Sequence, residues 1–257
     1  MDPITNGFKR ALLAGEKQIG LWLALTSSYT AELCAGAGFD WFLIDGEHAP
    51  NNVQTVLQQI QTLAPYPVQP VVRPPSGNLD MIKLLLDMGV QNFLIPTVES
   101  AEQAKALVGA VRYPPRGYRG VGHVLGRASR WGRVGDYLKR SDDEICLLVQ
   151  IESRAGMDNL EAIAAVDGVD GLFVGPADLS ASLGHTGDTA HPDVLSAIDA
   201  TLGRIIATGK PAGTITGGAA NAKRLFARGC GFVAAGVDAL LLAGAVDRLA
   251  RELREPS

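Results

Sequence analysis

Short, almost continuously apolar runs recur along the chain, and each is followed by a stretch with helical spacing. Eight runs read as strands: Leu21–Leu25, Trp41–Ile44, Gln69–Val72, Asn92–Ile95, Ile145–Ile151, Gly171–Val174, Pro211–Ile215 and Phe232–Ala235. Continuous rather than alternating apolar character is what a parallel strand covered on both faces shows. Between them, Val53, Val56, Leu57 and Ile60 form one apolar stripe, Met81, Leu84, Leu85 and Met88 a second, and Ala104, Leu107, Val108 and Val111 a third. Eight strands alternating with helices in a chain of 257 residues predict a single-domain α/β fold, a (β/α)8 TIM barrel over residues 1–257, rather than an open sheet. A doubly wound sheet more often carries a glycine fingerprint after its first strand, where this chain has Thr26-Ser27-Ser28. The longest irregular stretch, Tyr113 to Gly135, is rich in Gly, Pro and Arg. Loops of that length in compact domains are usually functional, but the sequence does not place this one relative to either barrel face.

Composition narrows the classes. Hydrophobic residues make up 47% and charged residues 19%, enough apolar material for a large core and too much for a disordered chain. The net charge of −4 and the lack of a basic stripe argue against a nucleic-acid partner. An acidic protein that takes an anionic substrate needs a local positive charge, so a buried Arg or a metal ion is expected. Cys34, Cys146 and Cys230 lie far apart in apolar segments and read as small buried hydrophobes in a reducing cytoplasm. No signal-peptide pattern opens the chain, and no run approaches the ~20 apolar residues that cross a bilayer.

Barrel enzymes work at the C-terminal ends of their strands. Here strand 2 ends in Asp45-Gly46-Glu47-His48, strand 3 in Arg73, strand 5 in Gln150 and Glu152, and strand 6 in Gly175-Pro176-Ala177-Asp178. Ionisable groups directly after buried runs are costly unless paired or metal-bound. Glu152 and Asp178, from neighbouring strands, would raise each other's pKa, and a hard divalent cation, Mg2+ or Mn2+, relieves that repulsion. The competing readings are an ion pair from each carboxylate to an Arg, or Asp178 as a helix cap. Arg73 is placed to hold a carboxylate or a developing oxyanion, or else to pair with Asp45 or Glu47. His48, three residues from Asp45, is set up for proton transfer, or is a surface histidine. A phosphate cradle after strands 7 and 8 is only weakly imitated by Thr214-Ile215-Thr216-Gly217-Gly218 and Ala235-Gly236-Val237-Asp238. No Lys ends a strand, because Lys210 precedes strand 7 at the opposite face, which argues against a Schiff-base aldolase.

These segments together resemble the HpcH/HpaI class of metal-dependent pyruvate aldolases, the 4-hydroxy-2-oxoheptanedioate and hydroxy ketoacid type. The matching motifs are Phe42 to His48, Val72-Arg73-Pro74, Tyr113 to Gly122, Ala128-Ser129-Arg130-Trp131, Val149-Gln150-Ile151-Glu152, Val174 to Ser180 and Val233 to Asp238. They span nearly the whole chain. The resemblance implies retro-aldol cleavage of 4-hydroxy-2-oxo acids to pyruvate and an aldehyde, with Glu152 and Asp178 as ligands of Mg2+ or Mn2+ (or Co2+). It implies Gln150 beside pyruvate, Arg73 on its keto oxygen, and His48 with Asp45 as the proton-transfer pair. Gly175, Pro176 and Ala177 would line the pyruvate carboxylate, while Trp22 and Ile215 would line the aldehyde pocket. Asp87 would reach a neighbouring subunit's site. Pyruvate or hydroxypyruvate and aldehydes are the implied substrates, and aromatic compound catabolism the implied setting. The implied assembly is a homohexamer, a dimer of trimers, with a C-terminal helix over residues 239–253 exchanged between subunits. The loops Pro75-Ser76-Gly77-Asn78 and Thr214 to Ala219 depart from the family pattern on the aldehyde side. The alternative is a related enolate-forming lyase of the citramalyl- or malyl-CoA type, which would carry a basic nucleotide-binding surface that this sequence lacks.

Overall fold

In the computed structural model, which describes residues 4–255, all eight strands are present and close into one barrel. They are β1 (Gln18–Leu23), β2 (Trp41–Asp45), β3 (Gln69–Arg73), β4 (Asn92–Ile95), β5 (Cys146–Ile151), β6 (Gly171–Val174), β7 (Ala212–Ile215) and β8 (Phe232–Val237). Each runs parallel to its sequence neighbours, and β8 returns to pair with β1. Helix α1 (Gly7–Leu13) precedes the barrel. Helices α2 (Ser28–Ala35), α3 (Val53–Leu63), α4 (Leu79–Met88) and α5 (Ala101–Val111) link or follow the first four strands. The short α6 (Tyr137–Arg140) leads into β5, and α7 (Arg154–Asp158) and α8 (Leu160–Ala164) follow it. Helices α9 (Pro176–Ser182) and α10 (Pro192–Ala207) join β6 to β7, α11 (Ala219–Ala227) joins β7 to β8, and α12 (Asp238–Glu252) follows β8.

Two expectations shift. Strand β1 starts at Gln18, three residues earlier than the apolar run suggested, because Gln18 pairs with Phe232 of β8 while Ile19 faces outward. The stripe of α4 is rotated: Ile82, Leu85 and Leu86 are buried, whereas Leu84 is exposed. The stripes of α3 and α5 lie against the barrel as expected, with Val56, Ile60, Leu107 and Val108 buried.

The core has two layers. One lies between strands and helices. The other fills the barrel interior with Trp22, Trp41, Phe173 and Phe232, and Phe8 of α1 closes its N-terminal end against Trp41 and Phe232, at ring-centroid separations of 5.9 and 6.3 Å. Two strand positions must be glycine for this interior to fit: a Cβ on Gly20 would overlap the Trp41 indole, and one on Gly213 the Phe232 ring. Packing of this density leaves the C-terminal mouth as the place where polar groups gather.

The Tyr113–Gly135 loop follows α5, which runs away from that mouth, so the loop lies at the opposite face. Arg127 Nη1 there donates to Met88 O at the end of α4, at 3.0 Å. All three cysteines are free, with Cys146 and Cys230 buried and Cys34 half-buried. Helix α12 spans nearly the residues expected of the C-terminal helix, and of its residues Asp238 alone is buried. Leu240, Leu241, Leu242, Val246 and Leu249 are each more than half exposed, at 53–70%. Among the described residues, no helix is long and apolar enough to cross a membrane.

Candidate active site

Strand register assembles the first part of the mouth. Asp45 and Arg73 are direct partners across β2 and β3. Arg73 donates from Nε to Asp45 Oδ1 at 2.9 Å and from Nη2 to Oδ2 at 2.8 Å, a two-pronged pair buried on both sides. Asp45 also accepts the Trp22 indole N–H at 3.1 Å and the Glu47 backbone N–H at 3.0 Å. Burial pushes the Asp45 carboxyl up, but the Arg73 bonds and charge, with the Glu47 and Trp22 donors, outweigh it and hold the group below the usual carboxylate range. The Trp22 ring lies 4.8 Å from the guanidinium carbon. The ion-pair reading of Arg73 is therefore correct, and it leaves Nη1 as the nitrogen facing the mouth. That nitrogen reaches Gln150 Oε1 at 3.4 Å and Glu47 Oε2 at 2.7 Å.

The expected His48–Asp45 pairing is not what the structure shows. Asp45 meets His48 through the His48 backbone N–H, at 3.4 Å. The exposed imidazole instead lies 3.8 Å from Glu47 Oε2. Both Asp45 oxygens are filled by Arg73 together with the Trp22 indole and the Glu47 and His48 backbone N–H groups, which leaves none to orient the ring. Glu47 Oε2 is buried and, despite the short approach of Arg73, has no partner with hydrogen-bond geometry.

Beyond β5, Glu152 is buried. Its Oε1 accepts the Thr97 backbone N–H at 2.7 Å and the Thr97 hydroxyl at 3.1 Å, and its Oε2 accepts Gln150 Nε2 at 2.6 Å. None of these donors is a cation, so the ion-pair reading of Glu152 fails. Burial raises its pKa, and the nearby Glu47 and Asp178 carboxylates add to the rise against the Thr97 bonds. Burial likewise raises Glu47, with Asp45 and Asp178 contributing, against Arg73 and His48. Asp178 is not a cap: Gly175 is the N-cap of α9, Pro176 takes its first position, and no side chain caps it. Gly175 is required for the carboxylate to fit, because a Cβ there would collide with Glu152 Oε2 and come within 3.0 Å of Gln150 Nε2.

Trp22 and the half-buried Ile215 both face the barrel interior below this cluster. Asp87 is not brought to the mouth of its own chain. It sits one residue from the far end of α4, paired at 3.1 Å with the buried Arg119. The weak phosphate cradle fails on inspection: Asp238 places a carboxylate there and accepts the Ala24 and Leu25 N–H groups at 2.7 and 3.3 Å. Thr97, at the end of β4 with φ of 51°, was not anticipated. No ionisable residue marks that strand end, and a left-handed threonine leaves no sequence signal.

Acidic groups repelling one another around a fixed guanidinium gather at the C-terminal mouth of a parallel barrel, the place where barrel enzymes carry their active sites. The family described as HpcH/HpaI aldolase/citrate lyase matches residues 18–245. The chain belongs to that family, and it is a carbon–carbon lyase of the aldolase type. It is 59% identical to the hydroxypyruvate/pyruvate aldolase of Deinococcus radiodurans, over all of this chain and 93% of that one. It is 57% identical to the 4-hydroxy-2-oxo-heptane-1,7-dioate aldolase of Escherichia coli, over 95% of this chain and 94% of that one. A crystal structure of a family protein from Burkholderia cenocepacia superposes with a TM-score of 0.93 at 39% identity, covering 98% of this chain and all of the other.

Proposed function

We propose that the mouth cleaves 4-hydroxy-2-oxo acids into pyruvate, or hydroxypyruvate, and an aldehyde, with Glu152 and Asp178 holding a divalent metal ion, Mg2+ or Mn2+. One observation carries the reading: Glu152 is buried among Glu47 and Asp178 with its pKa raised and no cation beside it. An all-oxygen donor set of this kind fits a hard octahedral ion, which leaves sites for substrate oxygens and water. Such an ion supplies Lewis-acid stabilisation of an enolate oxygen.

The chain's own groups perform the remaining work. As the substrate C4 hydroxyl loses its proton, the C3–C4 bond breaks and its electron pair moves through C2 onto the keto oxygen as an enolate. Protonation at C3 then gives pyruvate. Arg73 Nη1 faces the position of that oxygen, and the two bonds to Asp45 keep the guanidinium from turning away. Gln150 fixes Glu152 on one side and meets Arg73 on the other. The exposed His48, beside Glu47, moves the hydroxyl proton directly or through water. The first N–H groups of α9, at Ala177 and Asp178, are oriented to accept a substrate carboxylate.

The exposed leucine face of α12 supports an assembly in which this helix packs on a neighbouring subunit, as in the hexamer the family resemblance implies. In that assembly Asp87 would serve the neighbour's mouth. Free cysteines support a reducing, cytoplasmic setting.

Pyruvate release from a 4-hydroxy-2-oxo acid, measured after verified metal removal and again after adding Mn2+, tests the reading. Activity is expected only with the ion, and full turnover by the metal-free protein would reject it. Arg73→Ala is expected to lower turnover at least ~10²-fold, the scale of losing an oxyanion donor.

A further inference from the structure

The corner between α9 and α10 carries a second set of metal donors, with chemistry unlike that of the mouth. His185 Nε2 lies 3.7 Å from Asp193 Oδ2, and His191 Nδ1 lies 3.8 Å from the same oxygen. One donor atom from each of the three residues falls within 4.8 Å of the other two. Neither histidine hydrogen-bonds the carboxylate at these distances. His191 Nδ1 accepts the Asp193 backbone N–H at 3.2 Å, so this nitrogen carries a lone pair rather than a proton, and an ion would take that lone pair in place of the N–H. An unprotonated imidazole nitrogen and the second imidazole thus both lie within 4 Å of one carboxylate oxygen.

The spacing fits an ion. A tetrahedral centre with bonds near ~2.0–2.1 Å holds its donors about 3.3–3.5 Å apart, so the two measured separations need to close by only a few tenths of an ångström. The imidazoles are stacked, 3.6 Å between centroids and 19° between planes. Both must turn about χ2, a broad torsion for histidine, to aim their nitrogens at a shared centre. All three side chains are at least partly open to solvent, which gives an ion a way in and leaves a fourth position for water.

We propose that His185, His191 and Asp193 form a second divalent-cation site that takes a borderline ion of the Zn2+ class through two imidazoles and one carboxylate, and rejects Mg2+. Imidazole donors favour Zn2+, Co2+ and Ni2+, whereas Mg2+ prefers oxygen alone. The site ties two helices together. The His185 N–H donates to Ser180 O in α9 at 2.8 Å, and His191 precedes α10, whose cap bond it would exchange for the ion. An ion there clamps the end of α9, whose third residue is Asp178, to the start of α10. The proposal does not depend on the mouth holding a metal.

The test uses the full-length protein stripped of metal and then saturated with Mg2+, so that any oxygen-only site is filled. Zn2+ is titrated by calorimetry, and Co2+ by visible absorption, where tetrahedral coordination gives an intense band. One Zn2+ per chain and a tetrahedral Co2+ band are expected. His185→Gln and Asp193→Asn should weaken binding at least ~100-fold, because removing a ligand exceeds the 10–100-fold cost of losing an outer-shell partner. Glu152→Gln should leave the added Zn2+ in place. His191→Gln also removes a helix cap, so its folding is checked by circular dichroism, while the other two variants leave the cap intact. The proposal is overturned by no Zn2+ uptake, by unchanged affinity in His185→Gln and Asp193→Asn, or by loss of the ion in Glu152→Gln alone, which would assign it to the mouth.

Discussion

Asp45 and Thr97 carry the sharpest single-residue consequences. Asp45→Ala strands the buried Arg73, and breaking a buried pair costs about 3–5 kcal/mol. The lower end is expected, because Glu47 remains beside Arg73. Chemical denaturation at neutral pH measures it. The sign with pH follows from the depressed Asp45 pKa. Its contribution is fully present above the unfolded value of ~3.9 and is lost as pH falls through the lower folded value. The gap between the native protein and the variant should therefore close only in strong acid. Thr97→Val removes the hydroxyl bond to Glu152 Oε1 but keeps the N–H and the residue's shape. Mn2+ affinity should fall roughly tenfold, the scale of an outer-shell partner, with thermal stability nearly unchanged; equal affinity would remove Thr97 from the site. Sequence spacing placed Glu152 and Asp178 just past strand ends, and the structure has Glu152 directly after β5 and Asp178 in the first turn of α9. The His48 ring lies by Glu47 rather than Asp45, because three residues of separation in a loop do not fix where two side chains point. Thr97 was invisible because its role comes from a backbone angle.

At the scale of elements, the β6–α9 turn is the tightest constraint. Gly175→Ala drives a methyl into Glu152, so turnover should drop at least ~100-fold, in the range of losing an oxyanion-stabilising group. Far-ultraviolet circular dichroism should be unchanged, because the barrel core does not include this position. Full activity in the alanine variant would mean that Glu152 has room elsewhere. The elements themselves were legible because parallel strands buried on both faces leave unbroken apolar runs. Their edges were less so. The outward Ile19 hid the start of β1, and the run Leu84-Leu85-Leu86 in α4 offers two faces that sequence alone cannot rank.

At the scale of the whole molecule, α12 is the element its own barrel does not cover. Exposed leucines on a 15-residue helix are the kind of apolar face that marks an interaction surface. Leu241→Glu with Leu249→Glu should shift the protein to smaller species in sedimentation velocity, while Asp238, which anchors the helix start to Ala24 and Leu25, stays in place. An unchanged sedimentation coefficient would show that this face contacts nothing. The closed barrel was legible from eight repeated units. An assembly is implied by the family resemblance alone, because an apolar helix face reads the same whether it covers its own chain or another.

The Asp45–Arg73 register has a consequence for how such a protein can change. The residues proposed to hold the keto acid, Asp45 and Arg73, are fixed on strands, where a one-residue slip would turn every side chain to the wrong face. Of the segments that the resemblance puts on the aldehyde side, 75–78 and 214–219, residues 75–78 and 216–218 lie in connections, which tolerate replacement. New acceptors can thus be sought by exchanging those connections while the donor chemistry stays fixed, so that evolution and engineering work on one wall of the cavity at a time.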